Sequence, residues 1–183
     1  WVGVGAAGRG SVSSGKVDIG QRIWTALAMI AAEELDVPLD CIDMVRTVTG
    51  EAPDEGITSG SNSMMESGSA VRLAAATARL HMLTLTAEQL GVDIDTLDVE
   101  DGLIQSRETN RSVTYAEIQG DKPFGVDVDP NVGIKNPDTH KIVGKKIAPL
   151  GLMEIVTGSY RFLQDMKMPG MLHARVVRPP HYN

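Results

Sequence analysis

The chain has 183 residues, of which 42% are hydrophobic and 22% are charged, and its formal net charge is −7 at pH 7. This length supports one domain, or one domain with part of a second. The acidic balance argues against a nucleic-acid-binding surface, and no apolar run approaches the ~20 residues that a membrane-spanning helix needs. The single cysteine, Cys41, excludes an internal disulfide and a four-cysteine iron–sulfur or zinc site on this chain.

Two further features of the composition bear on function. The four histidines lie far apart and show no metal-ligand spacing, so we expect no metal ligands on this chain. The chain opens on Trp1 rather than methionine and carries no signal peptide, so we expect it to be an excised or trimmed segment. Both the bacterial cytoplasm and the periplasm are open as its compartment.

The first quarter of the chain predicts a hairpin, a buried helix and a strand. Residues 1–5 and 11–17 flank a glycine-rich turn, which is typical of a β-hairpin. Residues 21–36 are apolar almost all round, so we expect a helix that is largely buried. Glu33 and Glu34 fall on this helix and are interpreted as a solvated face. Residues 41–48 alternate in the manner of a strand.

A second and longer helix is predicted over residues 64–90. Its alanine-rich sequence favours helix strongly, and Gly91 is placed to end it. Arg72 and Arg79 are seven residues apart and therefore share one face.

The remainder of the chain predicts only short elements. Residues 96–100 and 103–105 indicate a hairpin whose Asp101-Gly102 turn needs positive φ, and residues 112–118 indicate a strand leading into a helical turn. Beyond these we expect a proline-rich linker at 120–140, an extended segment at 141–146, a helical turn at 152–156, and strands at 159–163 and 171–177.

Two glycine-containing loops precede the two long helices, and each is a candidate ligand site. In the first, Gly15 and Gly20 permit close approach of the backbone, and Gln21 offers an amide with donors and an acceptor. Unpaired N–H groups and the helix dipole favour phosphates at such a helix start. Asp18, in the same turn, is interpreted as structural.

The second loop is rich in hydroxyl groups. It contains Thr58, Ser59, Gly60, Ser61 and Ser63, directly before the long helix. The simpler interpretation is that one hydroxyl caps that helix. Because two anion-suited helix starts occur in one domain, we also expect one extended, phosphate-bearing ligand.

Three segments together resemble the large subunit of the molybdenum hydroxylases, the xanthine dehydrogenase and aldehyde oxidase family. The first runs from Gly15-Lys16-Val17-Asp18-Ile19-Gly20-Gln21 through Ala31-Ala32-Glu33-Glu34-Leu35-Asp36-Val37, the second from Thr58 to Arg72, and the third from Lys141 through Pro169-Gly170-Met171-Leu172-His173-Ala174-Arg175 to Pro180. The third segment resembles the start of the family's hammerhead α/β domain. Its position after the cofactor-binding region is similar to the isoquinoline 1-oxidoreductase β-subunit-like branch.

The resemblance implies an α/β fold of the α+β type. Two long buried helices would pack on a small mixed sheet, followed by the start of the hammerhead-like domain. The implied domains are a molybdopterin-binding portion at 1–119, a linker at 120–140 and an incomplete hammerhead-like segment at 141–183.

The resemblance also implies a cofactor and partners. The cofactor would be a molybdopterin, commonly the cytosine dinucleotide form in bacteria, used to oxidise aldehydes or N-heterocycles. The implied partners are the remainder of the molybdopterin-binding subunit, an iron–sulfur electron-transfer subunit and a small-molecule substrate, with no nucleic acid and no membrane span.

Residue by residue, the resemblance places Gly20 and Gln21 against the pterin and its phosphates. It places Thr58, Ser59, Gly60, Ser61 and Ser63 along the pyrophosphate or nucleotide. Arg22 departs from the family, which usually has glycine after the glutamine, and Arg22 could either contact a phosphate or crowd the backbone approach.

No catalytic residue is assigned on this chain. The family's general-base glutamate lies near the far end of the full subunit, and no segment here matches it. The competing hypothesis is a non-catalytic binding or assembly module of the same fold that has lost the cofactor, which Arg22 favours. A phosphate-binding domain unrelated to molybdenum is a third hypothesis.

Overall fold

A computed structural model describes residues 1–181 of the chain. They divide into two compact units, one spanning residues 1–150 and the other beginning at Gly151. The first unit contains two long helices and two three-stranded sheets. The fold is therefore mixed α/β, as the sequence predicts.

The first sheet is mixed and contains a crossover through a helix. Strands β1 (Val2–Val4) and β2 (Gly10–Val12) pair antiparallel, which confirms the predicted hairpin. Helix α1 (Ile23–Leu35) then carries the chain to β3 (Ile42–Met44), which pairs parallel to β2. A parallel partner requires such a crossover connection.

Helix α1 packs against the longest helix of the chain, α2 (Ser69–Leu90). One turn of π-helix, Met64–Gly68, precedes α2, so the helical stretch begins where the sequence predicts. Leu27 is fully buried, and burying a leucine side chain stabilises the fold by about 2 kcal/mol. Both helices contribute small residues to the buried core, among them Ala28, Ala31, Ala32, Ala75 and Ala78.

The second sheet is antiparallel throughout. It consists of β4 (Leu97–Glu100), β5 (Leu103–Ser106) and β6 (Ser112–Thr114). Asp101 and Gly102 have φ values of 50° and 75°, which confirms the predicted positive-φ turn.

A short helix, α3 (Tyr115–Gln119), follows the second sheet and joins it to α1. A capping box between Thr114 and Glu117 starts this helix, and the predicted strand-to-helical-turn is confirmed. The buried Tyr115 hydroxyl donates to the Leu35 carbonyl over 2.8 Å. That bond ties the second sheet to the carboxyl end of α1.

Residues 120–150 contain no β-strand or α-helix, and residues 135 and 141–143 of this stretch are hydrogen-bonded to α1. The Glu33 carboxylate accepts the backbone N–H groups of Lys141, Ile142 and Val143 at 3.0, 2.6 and 2.9 Å. Residues 141–146 form a turn rather than the predicted extended segment, because these N–H groups converge on one carboxylate.

The interpretation of Glu33 and Glu34 as a solvated face is wrong, since each is only 2% exposed. Glu34 pairs with Arg72 at 2.8 Å and accepts the Lys135 backbone N–H at 3.1 Å. Arg79 pairs with Asp36 at 2.7 Å. The two arginines therefore do share the face that meets α1, and burial of their acidic partners is offset by these bonds.

The second unit contains one α-helix among its described residues, α4 (Leu152–Thr157), which confirms the predicted helical turn. The strands predicted at 159–163 and 171–177 are wrong, since neither forms a β-ladder within residues 1–181. An extended segment needs a neighbour to bond its N–H and C=O groups. Leu172 and Val177 are instead 92% and 91% exposed.

Across residues 1–181, no helix is long and apolar enough to cross a membrane.

Candidate functional site

The first loop, residues 15–22, is held in shape by its own side chains. Gln21 Oε1 accepts the Ile19 N–H at 2.7 Å, and Gln21 Nε2 donates to the Val17 carbonyl at 2.9 Å. Asp18 accepts the Gly20 N–H at 2.9 Å, which agrees with a structural role. Most of the Gln21 amide is thus engaged within the loop, and one of its two Nε2 hydrogens is left for a ligand.

The loop ends in two residues with positive φ, at the start of α1. Gly20 has φ 102°, and a Cβ there would meet no atom within 4 Å, so the space in front of it is open. Arg22 has φ 65° and ψ 30°. Arginine at this position therefore keeps a left-handed conformation, the one that glycine adopts most readily.

The helix start beyond Arg22 has no side-chain cap. Among residues 1–181 the Arg22 guanidinium makes no hydrogen bond or salt bridge. An uncapped α-helix N-terminus with an adjacent, uncommitted guanidinium favours an anion.

The second loop, residues 55–63, meets the first loop directly. Thr58 Oγ1 accepts the Val17 backbone N–H at 3.0 Å. Gly60 and Ser61 both have positive φ, at 66° and 59°, and they turn the chain toward α2. No hydroxyl of this loop caps the helix, and Ser63 makes no capping bond, so the simple capping interpretation is wrong.

The structure brings the predicted residues to one region without joining all of them. Ser59, Gly60 and Ser61 are exposed, as are Gly20 and Gln21. Thr58, Ser63 and Arg22 are partly buried. Contact between the two loops runs through their flanking residues, including Val17 and Thr58, and within residues 1–181 no hydrogen bond links Gly20, Gln21 or Arg22 to residues 58–63.

Glu55 is a residue of this region that the sequence did not reveal. Its carboxylate accepts the Trp1 indole N–H at 3.0 Å, the Ser14 hydroxyl at 2.7 Å and the Gly15 N–H at 2.5 Å. Burial alone would raise the pKa of Glu55, but these hydrogen bonds outweigh it and hold the pKa below its usual value. An isolated acidic residue in an irregular loop carries no sequence signal for such a role.

Gly15 allows the two loops to approach each other closely. A Cβ there would lie 2.1 Å from the carbonyl oxygen of Pro53, just before the second loop, and 3.1 Å from the backbone nitrogen of Glu55 within it. The first glycine of the motif therefore serves contact between protein segments, whereas Gly20 faces open space.

The comparisons with known proteins decide the family. Residues 1–136 match the family described as the molybdopterin cofactor-binding domain. The chain belongs to this family. The resemblance seen in the sequence is therefore confirmed.

Three curated relatives align with most of this chain. The B subunit of nicotinate dehydrogenase from Pseudomonas putida is 34% identical over 92% of this chain, which covers 14% of that protein. The beta subunit of isoquinoline 1-oxidoreductase from Brevundimonas diminuta is 26% identical over 98% of this chain and is covered to 28%. The gamma subunit of the 6-hydroxypseudooxynicotine dehydrogenase complex from Paenarthrobacter nicotinovorans is 34% identical over 70% of this chain and is covered to 16%. The chain thus spans less than a third of the length of each of these relatives.

Solved structures share the fold. CO dehydrogenase from Oligotropha carboxidovorans superposes with a TM-score of 0.57 at 25% identity, over 64% of this chain and 15% of that chain. Quinoline 2-oxidoreductase from Pseudomonas putida 86 superposes with a TM-score of 0.55 at 24% identity. The superposition covers 65% of this chain and 15% of the quinoline 2-oxidoreductase chain. The latter likeness supports the fold alone.

Proposed function

We propose that this chain forms part of the cofactor cradle in a molybdenum hydroxylase large subunit. The two loops would hold the phosphate-bearing part of a pterin dinucleotide, in the cytosine form. Residues 1–119 would supply the cradle, residues 120–140 the connection, and residues 141–183 the start of a hammerhead-like domain.

The observation that carries this proposal is the bond between the Val17 N–H and Thr58 Oγ1. It sets two glycine-containing loops side by side, each leading into one of the two long helices. A ligand with two linked phosphates could contact both loops at once, because helix starts and exposed loop hydroxyls both bind phosphate oxygens.

The residues present fit such a group. Gly20 leaves open space for close approach, Arg22 adds an uncommitted positive charge, and the hydroxyls of Ser59 and Ser61 are exposed. In this arrangement Gly20 and the free Gln21 hydrogen face the pterin side. Arg22 and the second loop bind the pyrophosphate and nucleotide.

When bound, a molybdopterin supplies redox chemistry, here the oxidation of an aldehyde or N-heterocycle with electrons leaving to an iron–sulfur partner. The names of the relatives include nicotinate and isoquinoline, both N-heterocycles. Those names also describe subunits, which supports assembly with further chains. This chain's own residues bind and orient the cofactor, and none is assigned to proton transfer.

The second candidate is a module that keeps the fold but has lost the cofactor. Arg22 is the specific observation that favours it, because its side chain stands where the family usually has glycine. The backbone of Arg22 keeps the left-handed conformation. Only its side chain could therefore obstruct the approach of the cofactor.

A titration separates the two candidates. The chain and its Arg22→Gly variant would each be titrated with molybdopterin cytosine dinucleotide, with the same pterin lacking the nucleotide as the control ligand. The cradle proposal expects the dinucleotide to bind the wild type more tightly than the control ligand. Binding only by Arg22→Gly would support the module that has lost its cofactor.

A further inference from the structure

Lys16 lies beneath both loops and is almost completely buried, at 2% exposure. Its Nζ donates to the Glu55 carbonyl at 2.5 Å and the Ile57 carbonyl at 3.0 Å, and it pairs with Glu66 Oε2 at 2.7 Å. An ammonium group has three hydrogens to donate. All three are therefore matched to acceptors within the protein.

The three acceptors belong to different parts of the site. Two are backbone oxygens of the second loop, at Glu55 and Ile57, and Ile57 directly precedes Thr58. The third is in the π-turn Met64–Gly68, which leads into α2. Lys16 itself belongs to the first loop, so one side chain connects both loops and the start of the second helix.

We propose that Lys16 is a positioning residue that fixes the spacing of the two loops for their phosphate-bearing ligand. This inference rests on the proposed function. A buried ammonium is stable only when it is paired and hydrogen-bonded, so the second loop must follow the path that supplies its two carbonyls. That path places Thr58 against the Val17 N–H.

Lys16 also supplies charge where the surrounding residues would repel an anion. Glu55 and Glu66 both lie at this junction. The Lys16 ammonium pairs with Glu66 directly, and the carboxylate of Glu55 is engaged by Ser14, Gly15 and Trp1. The loop surface above them is left to its N–H groups, hydroxyls and Arg22.

The two carbonyl contacts and the ion pair can be separated by mutation. Glu66→Gln removes the negative charge that pairs with the buried Lys16 ammonium, but it keeps an amide oxygen that can accept the third Lys16 hydrogen. We therefore expect Glu66→Gln to loosen the loops less than Lys16→Met does, because Lys16 still holds both carbonyls. Lys16→Met retains most of the length of the side chain and removes its three N–H donors.

The test measures amide hydrogen exchange in the chain without added cofactor. Lys16→Met is expected to accelerate exchange in residues 15–22 and 55–63 by about tenfold or more relative to the wild type, since their shared anchor is lost. Tyr115→Phe is the matched control, because it removes a buried hydrogen bond at the opposite end of α1, about 18 Å away for a helix of this length. It should leave exchange in both loops unchanged.

A second variant, Lys16→Gln, keeps a donor on a shorter side chain. It replaces Lys16→Met if Lys16→Met does not fold, and we expect it to accelerate amide exchange in the same two loops.

The inference is overturned if neither Lys16 variant changes exchange in the two loops, or if Tyr115→Phe changes it equally. A second readout is the molybdenum and nucleotide content of the chain purified with its native partners, which should fall at least about tenfold in Lys16→Met and remain unchanged in Tyr115→Phe. If the wild type itself carries neither, the proposed function fails while the exchange measurement still decides whether Lys16 spaces the loops.

Discussion

The backbone N–H of Val17 donates to Thr58 Oγ1 over 3.0 Å, although the two residues are 41 positions apart in the chain. This bond joins the two loops that precede the long helices. It requires a hydroxyl acceptor at residue 58, so the identity of that side chain bears on the geometry of the proposed cradle.

Replacing Thr58 with valine should loosen the junction between the loops. Thr58→Val keeps the shape of the side chain but leaves the Val17 N–H to water, at a cost of about 1 kcal/mol in the free energy of unfolding. We expect cofactor retention to fall, measured as molybdenum per chain after gel filtration. Thr58→Ser keeps the acceptor and is the control. Equal retention in both variants would contradict a role for this hydroxyl.

Gly15 should be intolerant of any side chain. In Gly15→Ala the new Cβ would lie 2.1 Å from the Pro53 carbonyl oxygen, so the loops must separate, and we expect a loss of about 2 kcal/mol or more. Gly125→Ala is the control, because a Cβ there meets no atom within 4 Å. Urea unfolding of both variants checks this, and equal midpoints would show that the close approach of the loops is unimportant.

Glu33 should be essential for fixing residues 141–143 on α1. Glu33→Gln replaces one carboxylate oxygen with a donor that faces the backbone N–H groups, and a lost hydrogen bond to a buried charge costs about 2 kcal/mol. The exposed Glu88→Gln on α2 is the control. Hydrogen exchange should accelerate at 141–143 in the first variant only. Unchanged protection there would mean that other contacts hold the segment.

Acid should weaken the fold through the same carboxylate. Burial raises the pKa of Glu33, but the N–H groups of Lys141, Val143 and Ile142 and the charge of Lys135 outweigh it, so the folded pKa lies below the ordinary value. Its stabilisation is therefore complete above the unfolded pKa and is lost as the pH falls through the folded pKa. The free energy of unfolding should decrease more steeply below about pH 4.3 in the wild type than in Glu33→Gln. Parallel pH profiles would contradict this.

Local signals in the sequence were sufficient for the regular elements of the first unit. Gly91 ends α2 with φ 66°, and Asp101-Gly102 forms the positive-φ turn, because both depend only on their own backbone. The burial of Glu33 could not be predicted in the same way. Its hydrogen-bond partners are more than 100 residues away, in a segment without periodicity. The sequence around Glu33 therefore gives no indication that its carboxylate is buried.

The candidate site likewise combines features that the local sequence predicts with contacts that it does not predict. The loop motif indicated Gly20, and the hydroxyl run indicated Thr58, but neither pattern revealed that Lys16 and Glu55 connect the loops. These contacts depend on backbone carbonyls and N–H groups, which every residue carries, so residue identity gives little warning of them. The strands predicted at 159–163 and 171–177 do not form for a related reason, since a strand needs a neighbour that bonds its N–H and C=O groups.

If the two loops together hold a molybdopterin dinucleotide, the chain must carry that cofactor in its native complex. The measurement that tests this most directly is the molybdenum and nucleotide content of the chain purified with the proteins that accompany it in its host. We expect molybdenum together with a cytosine nucleotide released by acid, both reduced in Thr58→Val. A complex that contains all its partners but neither molybdenum nor nucleotide would contradict the proposed cradle and favour a module that has lost its cofactor.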